Sequence, residues 1–222
     1  MDVIKGLDSE KVWDFENGFY WFSEPSRLNK FLAHYEIYKK IVELPGDIVE
    51  LGVFKGISVI RFATFRNLLE NDASRKIVGF DVFGAFPEDN VSLDADIKFL
   101  RKFEDDAGTG VSEDQLTRVL QKKGFSNYEF IKGNVFDTLD PYLEQNPHLK
   151  ISLLHLDMDV MEPTEFALDR LYDRVVKGGY IVFDDYPSVA GEVKAVDRFL
   201  EKHDLNIQKI PYYAVPSFVV KK

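Results

Sequence analysis

Asp47-Ile-Val-Glu-Leu-Gly-Val-Phe-Lys-Gly56 is the most informative stretch of this 222-residue sequence. Its first five residues form a short apolar run typical of a buried β-strand, and its two glycines allow a tight turn into a helix. Similar runs alternate with amphipathic stretches along the chain, a pattern typical of α/β proteins with a mostly parallel sheet. The predicted strands are 47–52, 76–80, 128–131, 151–156 and 180–183, followed by a terminal hairpin of 207–210 and 217–220. The predicted helices between them are 56–71, 112–124, 163–176 and 191–203.

Two segments lie outside this alternation. Residues 1–45 hold an aromatic cluster and a helical pattern over 27–44, and this N-terminal arm is predicted to pack on the sheet or a second subunit, or to cover the active site. Residues 83–110 are acidic and punctuated by Pro and Gly, with a short helix predicted over 94–103. Long segments of this kind are often functional, so this insertion is a second lid candidate. Residues 46–222 are predicted to form one domain that contains it.

The composition restricts the class of partner. Acidic residues outnumber basic residues by 38 to 28, which gives a net charge of −10. This balance argues against nucleic acid, because binding to its backbone relies on clustered Lys and Arg. The absence of cysteine excludes thiolate zinc sites and Cys nucleophiles. No apolar run is long enough to span a membrane, and no signal peptide is visible, so a cytoplasmic protein without a membrane partner is expected.

The glycine turn predicts a nucleoside site. Neither the G-x-G-x-x-G fingerprint nor a P-loop is present, and Glu50 lies two residues before Gly52. An acid at this position suits a ligand with a cationic amine, which points to S-adenosylmethionine (SAM). Asp81 ends the next predicted strand, where a carboxylate accepts hydrogen bonds from ribose hydroxyls, and Asn134 follows the third, where it could lie beside an adenine. The alternative for the motif alone is an ordinary strand–turn–helix connection.

Four carboxylates follow two neighbouring predicted strands. Asp157 and Asp159 come after one strand, and Asp184 and Asp185 end the next. Unpaired acids that converge at one sheet edge repel and raise one another's pKa, and a divalent cation resolves this conflict. Oxygen ligands favour Mg²⁺, or a similar ion such as Mn²⁺ or Ca²⁺, over zinc. The alternative is that Asp159 or Asp185 only caps a following helix.

The four histidines receive structural predictions. His155 lies on an apolar strand and is expected to be a core residue, while His34, His148 and His203 are expected on the surface or in packing. No Ser-His-Asp arrangement with a G-x-S-x-G elbow accompanies them.

Five blocks of the sequence resemble one family. They are Asp47–Gly56, Phe80–Pro87, Gly133–Leu139, Leu156–Asp159 and Asp184–Tyr186. In this order and spacing they resemble the TylF/MycF (macrocin O-methyltransferase-like) family of SAM- and Mg²⁺-dependent enzymes, which methylate sugar hydroxyls of natural products. The resemblance implies a class I SAM-dependent methyltransferase fold, Rossmann-like, with a mostly parallel seven-stranded sheet, helices on both faces and a C-terminal antiparallel hairpin.

The resemblance also implies roles for individual residues. Glu50, Gly52 and Asp81 would contact SAM. The complete set of cofactor-binding candidates is Glu50, Gly52, Gly56, Ser58, Asp81 and Asn134. The implied metal ligands are Asp157, Asp184 and Asp185, with Asp159 as the general base. The sequence departs from the family at Met161 and Pro163, where Tyr and Ser are usual, and at Val82-Phe83-Gly84, where Ser-Phe-Glu is usual. These positions surround the acceptor pocket, so they leave the substrate open.

The resulting hypothesis is methyl transfer from SAM to a hydroxyl of a sugar or glycosylated natural product held at Mg²⁺. One alternative is a metal-dependent glycosyltransferase or phosphatase that uses Asp157-Met-Asp159 as an Asp-x-Asp motif. Another is a non-catalytic SAM-binding module. An amine acceptor also stays open, and the aromatic arm favours a homodimer.

Overall fold

A computed structural model describes residues 3–87 and 90–222, so Glu88 and Asp89 of the predicted insertion lie outside the described residues. The strands are β1 (Val3–Ile4), β2 (Leu7–Asp8), β3 (Asp47–Leu51), β4 (Ile77–Asp81), β5 (Tyr128–Lys132), β6 (Ile151–Leu156), β7 (Val175–Phe183), β8 (Gln208–Ile210) and β9 (Tyr213–Val220). The α-helices are α1 (Val12–Phe22), α2 (Pro25–Ile41), α3 (Ile57–Leu69), α4 (Asp94–Ala107), α5 (Glu113–Lys122), α6 (Val135–Gln145), α7 (Met161–Leu171) and α8 (Ala190–His203). Among the described residues, no helix combines the length and the apolar character needed to cross a bilayer.

Seven strands of the described chain form one sheet in the order β5-β4-β3-β6-β7-β9-β8. The pairs from β5 to β7 are parallel, whereas β9 pairs antiparallel with both β7 and β8. The predicted α/β class, the mostly parallel sheet and the C-terminal antiparallel hairpin are confirmed. β1 and β2 form a separate two-stranded hairpin before α1.

The core lies on both faces of the sheet. On β6, Leu153 packs in the cluster that includes residues of α2 and α3, whereas Leu154 and Leu156 pack in the cluster of α6, α7 and α8. All three side chains are fully buried. Each buried side chain of this size contributes about 1.5–3 kcal/mol, so the central strands are firmly held between two helical layers.

The hydrogen-bond ladder aligns the carboxyl ends of the central strands. The Asp157 N–H donates to Leu51 O and the Asp184 N–H donates to Leu156 O, both at 2.9 Å. The Gly52 N–H donates to Phe80 O at 2.9 Å. Because the ladder extends one residue beyond each strand, the side chains that follow β3, β6 and β7 share one edge of the sheet.

The helices α6 and α7 differ from the predicted pattern. Helix α6 was not predicted, because Pro141 lies inside it and interrupts the helical signal. The predicted helix over 163–176 is wrong at its end, since α7 stops at Leu171 and β7 begins at Val175. Val175 pairs with Ile151 across the sheet, and this long-range pairing outweighs the local helical pattern.

The N-terminus of α5 gives a stability prediction. Ser112 Oγ accepts a hydrogen bond from the Gln115 N–H, and the Gln115 side chain accepts one from the Ser112 N–H. We expect Ser112→Ala to lower the free energy of unfolding by about 1 kcal/mol, because it removes this capping box. Urea denaturation measures the difference. Ser112→Asp keeps an oxygen acceptor and is expected to stay close to wild type; equal losses in both variants would contradict the assignment to the cap.

Candidate functional site

A cavity of about 600 Å³ opens at the carboxyl edge of the sheet. The glycine turn after β3 and the strand-end acids form part of its lining. The N-terminal arm contributes Arg27, Lys30 and His34, and the insertion contributes aromatic rings that include Phe86 and Phe103. Both segments predicted as lid candidates therefore line the same cavity.

The acids after β6 and β7 meet at the cavity. Asp157, Asp184 and Asp185 each place a carboxylate oxygen within 4.8 Å of the others. Asp159 is buried and adopts a φ of 65°, a left-handed conformation that is uncommon outside glycine and is found at functional sites. The capping alternative is not supported, because the N-cap of α7 is Val160 and that of α8 is Val189.

Burial, followed by the repulsion between neighbouring acids, dominates the electrostatics of this cluster. Burial and the charge of Asp184 raise the pKa of Asp157 well above its usual range, and they also raise the pKa of Asp185. Burial and the charge of Asp185 raise the pKa of Asp159 well above its usual range. Three oxygen ligands that repel one another fit a divalent cation such as Mg²⁺, since the cation would offset their charge.

Asp184 differs from the other acids because cations and histidines surround it. Burial alone would raise its pKa, but the Lys30 ammonium and the His155 ring hold the pKa well below its usual range. Lys30 Nζ forms an ion pair with Asp184 Oδ2, and His155 Nε2 lies 3.3 Å from Asp184 Oδ1. His34 Nε2 lies 3.4 Å from the same oxygen, without the geometry of a hydrogen bond. The negative charge of Asp184 is therefore fixed by α2 and β6 together.

Sequence reasoning missed Lys30 and His34. His34 is buried and its ring stacks on Phe62, which agrees with the packing alternative, but its position beside Asp184 was not predicted. A signal was present, because Arg27, Lys30 and His34 are spaced three and four residues apart and occupy one helix face. His155 is buried as expected, and its Nδ1 lies 3.6 Å from Glu50 Oε1.

Glu192 is a further acid that the sequence did not indicate. Its side chain is fully buried on α8, and its Oε1 accepts a hydrogen bond of 3.3 Å from the Asp185 N–H. Burial and the charge of Asp185 raise the pKa of Glu192 well above its usual range. Glu192 therefore supports the backbone of Asp185 from behind the cavity.

The candidates for donor binding divide into two groups. Gly52, Ser58, Asp81 and Asn134 line the cavity. Asp81 Oδ2 accepts hydrogen bonds from the Val53 and Phe54 N–H groups, each 2.8 Å long, which fixes the carboxylate beneath the glycine turn. Asn134 accepts a hydrogen bond of 3.2 Å from the Phe136 N–H and caps α6.

The second group lies behind the cavity wall. Glu50 is fully buried and accepts a hydrogen bond from the Ser58 hydroxyl, while its Oε2 has no partner among the described residues. Gly56 has a φ of 72° and precedes α3, so its conformational freedom serves the turn. The binding roles of both groups stay predictions.

Fold comparison places the chain in a structural class. The TDP-rhamnose 3'-O-methyltransferase of calicheamicin biosynthesis superposes with a TM-score of 0.67 at 26% identity, over 96% of this chain and 86% of that one. Together with the strand order, this likeness defines a class I SAM-dependent methyltransferase fold, as predicted. The model of the macrocin-O-methyltransferase (TylF) family matches residues 25–216, and the chain belongs to this family. The predicted family is thereby confirmed.

Two curated relatives are similar in sequence. An 8-demethyl-8-(2,3-dimethoxy-alpha-L-rhamnosyl)-tetracenomycin-C 4'-O-methyltransferase from Streptomyces olivaceus is 30% identical over 146 residues, which cover 64% of this chain and 54% of the relative. A demethyldecarbamoylnovobiocin O-methyltransferase from Streptomyces niveus is 30% identical over 174 residues, covering 73% and 61% respectively. The chain thus spans little more than half the length of these relatives.

Proposed function

We propose that the chain transfers the methyl group of SAM to a hydroxyl of a sugar or of a glycosylated natural product. The acceptor hydroxyl would be held at a bound Mg²⁺ ion. The observation that supports this most strongly is the meeting of three carboxylates within 4.8 Å, beside the glycine turn and inside one cavity. The sugar acceptor is proposed from the names of the relatives, which include methyltransferases of rhamnosyl groups.

The proposed site assigns each candidate a task. Asp157, Asp184 and Asp185 would hold the divalent ion, because they offer hard oxygen ligands at one place. Gly52, Ser58, Asp81 and Asn134 would contact SAM from the cavity wall. Glu50 would act on the donor through Ser58, whose hydroxyl it orients, and Gly56 would shape the turn.

The chain's own residues would position the reactants and move one proton. When bound, SAM supplies an electrophilic methyl group, and the divalent ion lowers the pKa of the acceptor hydroxyl as a Lewis acid. Asp159 accepts the proton of that hydroxyl, since its carboxylate lines the cavity together with the three acids proposed to hold the ion. The acceptor oxygen bonds to the methyl carbon, the carbon–sulfur bond breaks, and its electron pair stays on sulfur. Alignment by the cavity walls can supply about 7–11 kcal/mol of the barrier reduction.

Calorimetry tests the proposal without knowledge of the acceptor. We expect S-adenosylhomocysteine (SAH), the product form of the donor, to bind with or without Mg²⁺. We also expect Mg²⁺ to bind to wild type and to lose at least about tenfold in affinity in Asp185→Ala, because a ligand is missing. Asp169→Ala, an exposed acid on α7, is the control. If wild type binds Mg²⁺ and a sugar nucleotide but not SAH, the result favours the Asp-x-Asp glycosyltransferase or phosphatase alternative. If wild type binds SAH but not Mg²⁺, the result favours a non-catalytic SAM-binding module.

The N-terminal arm supports a homodimer. Helix α1 buries none of its residues in the chain, and Trp13, Trp21 and Phe22 are 72%, 70% and 83% exposed. An apolar surface of this kind is typical of protein–protein contacts. We expect sedimentation analysis to find a dimer in wild type and a monomer in a Trp13→Asp/Trp21→Asp variant. A monomeric wild type would contradict this assembly.

Cytoplasmic location stays a prediction, which cell fractionation would test.

A further inference from the structure

The cavity wall carries basic side chains in an otherwise acidic protein. Within the residues that the structure describes, Arg27, Lys30, Lys55 and Arg61 line the cavity. Lys30 pairs with Asp184, and Lys55 Nζ donates a hydrogen bond to Ala107 O. Arg27 and Arg61 have no ion pair or side-chain hydrogen bond in the described part of the chain. Two guanidinium groups are therefore available to a ligand.

Arg61 is held in place despite its lack of an anionic partner. The side chain is half-buried on α3, and its Cζ lies 6.0 Å from the centre of the Phe31 ring. Burial lowers its pKa, and the neighbouring positive charge of Arg27 also lowers it, while Asp184 acts in the opposite direction. Glu50 and Asp157 act in the same direction as Asp184, but among the described residues no carboxylate lies within ion-pair distance of Arg61, so its guanidinium N–H donors are left for a ligand.

The positions of the two arginines define a subsite. Arg61 follows Ser58 by three residues on α3, so the two side chains share a helix face beside the proposed donor site. Arg27 approaches from the exposed start of α2, one turn before Lys30. Both arginines therefore line the same cavity, Arg61 from the face of α3 that carries Ser58 and Arg27 from the start of α2.

We propose that Arg27 and Arg61 form an oxyanion-binding subsite for a carboxylate or phosphate group of a ligand in this cavity. Guanidinium groups bind both anions through paired N–H donors. The inference rests on the proposed function for the identity of the ligands, since the oxyanion would belong to the carboxylate of SAM or to an acidic acceptor such as a sugar nucleotide. A subsite of this kind would offset the repulsion that the strand-end acids exert on an anionic ligand.

Isothermal titration in EDTA tests the subsite, because no anion can then bind through a divalent ion. The anionic probes are SAH, pyrophosphate and TDP-rhamnose. The counterpart of SAH is 5'-methylthioadenosine, which lacks the amino-acid carboxylate. The counterpart of TDP-rhamnose is methyl rhamnoside, which is neutral. We expect Arg61→Gln to weaken at least one anionic probe by about 10- to 100-fold and Arg27→Gln to weaken the same probe, since each removes a charge-assisted hydrogen bond. The neutral counterparts are expected to bind as they do to wild type. Arg61→Lys should recover part of the loss.

The pattern of losses distinguishes the two sources. A loss for SAH alone assigns the oxyanion to the donor, whereas a loss for pyrophosphate and TDP-rhamnose assigns it to the acceptor. Arg118→Gln, at an exposed arginine outside the cavity, is the matched control. The subsite is rejected if wild type binds none of the anions, if the variants bind all of them equally well, or if the control loses as much. Arginine-dependent pyrophosphate binding without any SAH binding would reject the proposed function and keep the subsite.

Discussion

Asp159→Asn is expected to reduce the rate of methyl transfer by about 10²- to 10⁴-fold, because it removes the group proposed to accept the proton of the acceptor hydroxyl. The side chain of Asp159 lines the cavity together with Asp157, Asp184 and Asp185, the three acids proposed to hold the metal ion. The affinity for SAH is expected to stay unchanged, since Asp159 is not among the residues proposed to contact the donor. Transfer of labelled methyl from SAM to an acceptor active with wild type, screened from TDP-rhamnose and rhamnosides, measures the rate.

The controls for this prediction separate chemistry from folding. The melting temperature of Asp159→Asn is expected to be no lower than that of wild type, because the change removes a buried charge that Asp185 repels. Asp169→Asn changes an exposed acid of α7 in the same way and is expected to keep full activity. If Asp159→Asn keeps a rate within about threefold of wild type, the base must be a different residue.

The meeting of the strand-end acids could be predicted because it follows from local pattern and sheet geometry. The apolar runs of β6 and β7 indicated buried strands, and neighbouring parallel strands end at one edge. Asp157 and Asp184 therefore had to lie close together once the strands were adjacent, and the structure places them so. Their assignment as metal ligands stays a prediction.

The surroundings of those acids could not be predicted in the same way. Lys30 and His34 reach Asp184 across 154 and 150 residues of sequence, and only the packing of α2 against the sheet brings them there. Glu192 is similar, because its contact with the Asp185 N–H depends on how α8 packs behind the cavity. A contact that depends on long-range packing cannot be recognised from the local spacing of residues. The spacing of the basic residues on α2 indicates only that they share one face of the helix.

Gly52→Ala is expected to lower the free energy of unfolding by about 2–5 kcal/mol. Gly52 has a φ of 89°, and a Cβ atom added there would lie 1.8 Å from Asp157 O and 2.5 Å from Asp157 C. Two costs therefore add: a left-handed backbone that disfavours alanine, and an overlap with backbone atoms that cannot rotate away. Because relief of the overlap must move Asp157, binding of both SAH and Mg²⁺ is also expected to weaken.

Gly124→Ala separates the two costs. Gly124 has a φ of 72°, close to that of Gly52, but no atom lies within 4 Å of its added Cβ. Its loss of stability is expected to be only about 1–2 kcal/mol, since backbone strain is its single cost. Urea denaturation of the two variants measures the difference, which isolates the steric contact between the ends of β3 and β6. If the two variants lose equal amounts of unfolding free energy, the turn can shift away from Asp157 at no cost. The close contact between the glycine turn and Asp157 would then not be needed for folding.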